Sequence, residues 1–184
     1  MRDRGKGGSD SLAGSLLVAH PALRDPNFRR TVILMTTHGT DGAMGVVLNR
    51  PLEKRLGEVS GEFALGPLAA IPIFSGGPVQ KEQLIIAAWR AHSHGFQLHL
   101  GIDADKATQL LGEEDTLVRA FFGYSGWSPG QLEDELKLRT WIVTGAPPDL
   151  FRQPGEPRLW RRVLAGAGAE WRLLADEPDK PEQN

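Results

Sequence analysis

The sequence predicts a single α+β domain built on a mixed, largely antiparallel sheet with a few flanking helices, and three observations carry that prediction. Runs of four to eight residues rich in β-branched and aromatic types recur between Gly, Pro and Asp, the usual punctuation of strands. Helical signals are few and irregularly placed, with no βαβ rhythm and no internal repeat. At 184 residues, 40% hydrophobic and 24% charged, the chain suits one ordinary globular domain. Its body spans residues 12–175, between a Gly-rich polar tail over 1–11 and an acidic, Pro-interrupted tail over 176–184.

Strands are expected near 15–19, 31–37, 43–49, 72–75, 84–90, 96–100, 117–123 and 140–144. The second and third are joined across residues 38–42, where Thr40, Asp41 and Gly42 tolerate a turn, so they form an antiparallel hairpin. Asp103 caps a helix over 104–111 that Gly112 ends. Ser128, Pro129 and Gln131 spell an N-cap, a first helical position and a capping box for a helix reaching 139. That helix turns Leu132 and Leu136 inward and supports its outer face with Glu133/Lys137 and Glu135/Arg139 pairs. A last helix covers 158–164, with Trp160 and Leu164 inward.

Composition excludes several functions. The 21 basic and 23 acidic residues give a net charge of −2, a poor coat for nucleic acid. With no cysteine there is no disulfide scaffold, thiol nucleophile or thiolate metal site, which suits a reducing cytoplasm. No stretch approaches the ~18 apolar residues of a membrane span. The run at 16–19 is shorter than the ~7-residue minimum for the core of a signal peptide.

Recognisable catalytic patterns are weak. Gly123-Tyr124-Ser125-Gly126-Trp127 lies between an expected strand and helix, yet a nucleophile elbow requires glycine where Trp127 stands, and all five histidines precede Ser125. His92, His94 and His99 form the only histidine cluster, without a nearby acidic ligand, and read as loop histidines rather than a metal site. Phosphate-loop spacing is absent. Ser75-Gly76-Gly77-Pro78 turns the chain and could aim amides at an anion. The segment from Arg24 to Arg30 concentrates charge at a turn that Asp25 and Asn27 steady and Phe28 anchors, and its arginines could receive an acidic partner.

Several stretches together resemble the bacterial YqgE/AlgH family: Leu16-Leu17-Val18-Ala19 to Pro21, Asp25-Pro26-Asn27-Phe28, Gly42 through Pro51, Gly76-Gly77-Pro78-Val79, and Gly123 through Leu136. The likeness runs from about Ala13 to Ala175, with Trp141 and the stretch from Leu150 and Phe151 to Trp160 included. It implies a bifurcated or barrel-like sheet in a cytosolic bacterial protein. It also implies a regulator of exopolysaccharide transcription whose molecular function is uncharacterised, with no cofactor, reaction or DNA-binding element assigned. His20, and Thr37-His38-Gly39, depart from the pattern in the first loop and hairpin.

The positions matching that pattern which could form a ligand or partner surface are Asp25, Phe28, Asn49, Arg50, Gly76, Gly77, Pro78, Trp127, Gln131 and Glu135. The leading expectation is a non-enzymatic binding or regulatory protein with a protein or small-molecule partner and no cofactor or metal. One alternative is a hydrolase or transferase whose site gathers Asp25, Asn49, Arg50, Gln131 and Glu135; another is direct DNA binding. Against the last, the body between the tails is neutral, and the basic helix holding Arg158, Arg161 and Arg162 turns Trp160 inward.

Overall fold

A computed structural model describes residues 11–147, 149–150 and 158–175. The two predicted tails up to residue 10 and from 176, and most of the stretch from Phe151 to Trp160, lie outside the described residues. Nine strands form one mixed sheet that curves into a half-barrel, accompanied among the described residues by five α-helices, so the α+β class and single-domain architecture hold. The strands are β1 (Leu16–Ala19), β2 (Val32–Gly39), β3 (Gly42–Val47), β4 (Pro51–Arg55), β5 (Pro72–Ser75), β6 (Val79–His92), β7 (Gly95–Leu100), β8 (Thr116–Trp127) and β9 (Trp141–Thr144). The helices are α1 (Leu56–Val59), α2 (Ala104–Leu111), α3 (Gln131–Lys137), α4 (Leu159–Ala167) and α5 (Ala169–Ala175).

The long strand β8 joins the halves of the sheet. Its first part pairs antiparallel with β6 and parallel with β5, while Ser125, Gly126 and Trp127 pair with β3, which continues through β2 and β1 to β9. Because strand side chains alternate, β6 and β8 each feed two cores. Ala87, Trp89 and Phe121 join the main core with β1, β2 and α4, whereas Ile86, Ala88, Val118 and Ala120 face a second core closed by α1 and α2. Arg119 falls on the main-core face, its guanidinium 4.9 Å from the Phe74 ring and 5.6 Å from the Trp89 ring. Burial lowers its pKa to about 10.

Four expectations change. The strand β4 lies outside the expected strands because all five of its residues are exposed, and an edge strand with Pro51 leaves no hydrophobic alternation. Strand β8 continues through 123–127, so this stretch is strand and not a turn between strand and helix; Ser125 is fully buried, and its hydroxyl donates to the Gly76 carbonyl at 3.2 Å. Ser128 does not begin a helix. Its carbonyl accepts from the Gln131 amide at 3.0 Å, and Gly130 has φ +78°, a type II turn that delays α3 to Gln131, although Gln131 Oε1 still accepts from the Ser128 amide at 3.1 Å. Finally, α3's acids bond elsewhere than predicted: Glu133 meets His38 at 2.8 Å, and Lys137 pairs with Asp134 at 2.9 Å.

Candidate functional site

The loop between β1 and β2 is built by its own side chains, as the residues imply. The Asp25 carboxylate accepts the Asn27 amide at 2.8 Å, its carbonyl accepts the Arg29 amide at 2.8 Å, and the Phe28 ring meets Trp141 edge-on at 5.6 Å. This pinned turn projects Arg29 and Arg30. Arg30 has φ +54° and its guanidinium lies 5.0 Å over the Trp160 ring.

Asn49 and Arg50 hold the backbone of that loop. The buried Asn49 amide accepts from Val32 N–H at 2.9 Å and donates to the Arg30 carbonyl at 2.8 Å, while Arg50 donates to the Arg29 carbonyl at 2.6 Å. Asn49 thus ties the loop to the strand beside it, and Arg50 bonds a carbonyl rather than a carboxylate. The opposing wall is the turn at 75–78. The Gly76 amide donates to Phe122 at 2.8 Å, so it is not aimed at an anion, and the Gly76 carbonyl accepts the Val47 amide at 2.9 Å. A β-carbon on Gly77 would lie 2.3 Å from the Tyr124 backbone, so only glycine lets the turn sit this close against β8.

Between these walls and the first turn of α4 lies a cleft of about 770 Å³. Six cationic side chains line it, from Arg29, Arg30, Arg50, Lys81, Arg158 and Arg161, with no carboxylate among the described lining residues. Pro26, Val47, Pro51, Leu52 and Pro78 supply apolar surface. The Arg50 guanidinium is held below its ordinary pKa first by burial and then by the charge of Arg29. The first turn of α4 contains no acidic residue and begins after Arg158, so its cations oppose the helix dipole. Three of the five non-glycine residues with left-handed backbone among the described residues, Arg30, Glu53 and Gln80, lie in or beside this lining. Such conformations cost about 1–3 kcal/mol each and persist where surrounding structure imposes them.

The ten candidate residues divide into two groups. Asn49, Arg50, Gly77 and Pro78 line the cleft, Gly76 stands behind it, and Asp25 and Phe28 shape the loop that supplies its arginines. Trp127, Gln131 and Glu135 belong to a separate cluster. There Glu135 Oε2 accepts the Trp127 indole at 2.9 Å and the Trp141 indole at 2.7 Å, while Oε1 accepts the Gln131 amide at 3.0 Å. The Asp25, Asn49, Arg50, Gln131 and Glu135 set is therefore not gathered in one cleft. The arginines at 24–30 and at 158–162 are visible in the sequence, but nothing in it joins them, and nothing marks Lys81. Arginines in a first helical turn that itself holds no acid are the usable signal. His92 ends β6 and His94 sits in the following turn, bonded to Ser93 at 2.8 Å; among the described residues no group of three or more His, Cys, Asp or Glu is placed to hold a metal.

A half-barrel α+β domain with a basic cleft beside its first loop defines the class. The profile described as AlgH-like matches residues 16–172, and the chain belongs to that family. A UPF0301 protein of Streptomyces coelicolor is 38% identical over 187 residues, covering 95% of this chain and 96% of its own. A UPF0301 protein of Chlorobium limicola is 33% identical over 184 residues, covering 93% and 95%. The solution structure of AlgH from Pseudomonas aeruginosa superposes with TM-score 0.65 at 32% identity, covering 96% of this chain and 99% of that one. The crystal structure of DIP2367 from Corynebacterium diphtheriae shares the fold, with TM-score 0.72 at 23% identity over 94% and 95% of the two chains. The family is one of uncharacterised molecular function. Among the described residues, no helix is long and apolar enough to cross a membrane.

Proposed function

We propose that this protein is a non-enzymatic binding protein of the cytoplasm that takes an anionic ligand in the basic cleft, and that any effect on transcription passes through that ligand or a protein partner. One observation carries the reading: six cations from four separate segments converge on one cleft whose described lining contains no acid. The charge of Arg29 already disfavours the charged form of Arg50, and an anion bound between them removes that cost. The described lining also offers no carboxylate or histidine to move a proton, which favours binding over catalysis. The acidic side chains proposed for an enzyme are engaged structurally, Asp25 in its turn and Glu135 beneath two indoles.

Isothermal titration at fixed ionic strength with pyrophosphate and with citrate tests this. The expected result is saturable one-site binding of at least one of these anions, weakened tenfold or more in the double variant Arg50→Gln/Arg161→Gln and unchanged in Arg24→Gln, which lies outside the lining. Heat signals that do not saturate, or that are equal in both variants, overturn it.

A further inference from the structure

Resting on that reading, we infer that the cleft's ligand is a small organic molecule carrying two or more phosphates, of the nucleoside diphosphate or triphosphate kind. Size argues for more than a bare anion. The half-open cleft, at about 770 Å³, exceeds what a single phosphate fills.

The distribution of charge argues for a chain of phosphates. Arg29 and Arg50 lie on one wall, close enough for one charge to act on the other, while Arg158 and Arg161 come from the start of α4 and Lys81 from β6. Arginine forks bind phosphate oxygens in pairs, so cations spread over several segments match several phosphates better than one.

Chemistry of the remaining surface argues for an organic group on that chain. Pro26, Pro51, Leu52 and Pro78 give rigid apolar faces, and Asn27 and Ser75 place amide and hydroxyl groups among them, a combination suited to a flat, hydrogen-bonding ring. Nucleic acid fits less well. No aromatic side chain stands among the described lining residues to stack successive bases, and the chain's net charge is −2.

Titration of the full-length protein with adenosine diphosphate, pyrophosphate, citrate and a single-stranded oligonucleotide, at two salt concentrations, tests the inference. Adenosine diphosphate binding at least tenfold tighter than pyrophosphate supports it. Arg161→Gln, an exposed position, then weakens both; Leu52→Ser, on the exposed edge strand, weakens only the nucleotide. Pyrophosphate or citrate binding as tightly as the nucleotide overturns the inference and leaves the anion reading standing. An oligonucleotide binding more tightly than the nucleotide, with a steep salt dependence, also overturns it in favour of nucleic acid. No saturable binding by any probe overturns both.

Discussion

Glu135 is the side chain whose removal has the most calculable consequence. One carboxylate oxygen receives two indole N–H groups, from Trp127 at 2.9 Å and Trp141 at 2.7 Å, and the other receives Gln131 at 3.0 Å. Both tryptophans are buried, at 6% and 5% exposure, so Glu135→Ala strands two donors that water reaches poorly. At about 1–3 kcal/mol for each stranded donor, with part recovered by water entering from the α3 side, the expected loss is about 2–4 kcal/mol. For a chain of this size that corresponds to a fall in Tm of about 4–16 °C.

The conservative Glu135→Gln is not neutral. With its oxygen toward the indoles, its amide nitrogen faces the Gln131 amide nitrogen, which cannot simply flip, because Gln131 Oε1 already accepts from Ser128 N–H at 3.1 Å and Oγ at 3.2 Å. The expected loss is about 1–2 kcal/mol. Urea unfolding followed by far-ultraviolet circular dichroism measures both, and of the indole N–H resonances from the five tryptophans two should move. In a Trp127→Phe background the Glu135→Ala cost should fall by about 1 kcal/mol, since one donor is already gone. A Glu135→Ala loss below about 0.5 kcal/mol, the range of ordinary surface changes, would refute the claim that these indoles depend on the carboxylate.

Three other outcomes are expected. Asn49→Ala strands the buried Val32 N–H and frees the Arg30 carbonyl, so stability falls by about 2–4 kcal/mol, whereas a variant that also disorders the arginine loop should lose ligand affinity; denaturant titration alongside anion titration checks both. Gly77→Ala drives a β-carbon to 2.3 Å from the Tyr124 backbone and should cost about 3 kcal/mol or prevent folding, while Gly145→Ala, with nothing within 4 Å, should be near neutral in the same thermal assay. The Glu133 carboxylate is held below its ordinary value by a hydrogen bond from its own backbone and by His38. Its contribution is therefore present above the unfolded value near 4.5 and is lost as pH falls through the lower folded value. Glu133 is 38% exposed, so solvent screening keeps the effect to about a few tenths of a kcal/mol, and Glu133→Gln should flatten the stability curve only below about pH 4.5.

Local chemistry was legible wherever a residue acts on its own neighbourhood. The Asp25 turn, the Asp103 cap, which accepts the Lys106 amide at 2.8 Å, and the inward Trp160 and Leu164 all follow from short-range geometry written in the chain. The strands with a buried face were readable for the same reason, since alternation or an apolar run survives in sequence. Strand β4 was not, because an exposed edge strand has no hydrophobic pattern to display. The beginning of α3 was misplaced because Ser128, Pro129 and Gln131 satisfy a capping box and a type II turn almost equally, and Gly130 in left-handed backbone chose the turn.

By itself, the sequence determined an α+β domain, its main strands, its family likeness and the separate arginine clusters at 24–30 and 158–162. Only the tertiary structure decided that these clusters share one cleft with Arg50 and Lys81, and that one Glu135 oxygen accepts two tryptophan indoles. The physical reason is that electrostatic and hydrogen-bonded groups act across space, and residues 29, 50, 81 and 161 come to line one cleft only once β8 has joined the two halves of the sheet and Gly76 and Gly77 have let the turn close against it.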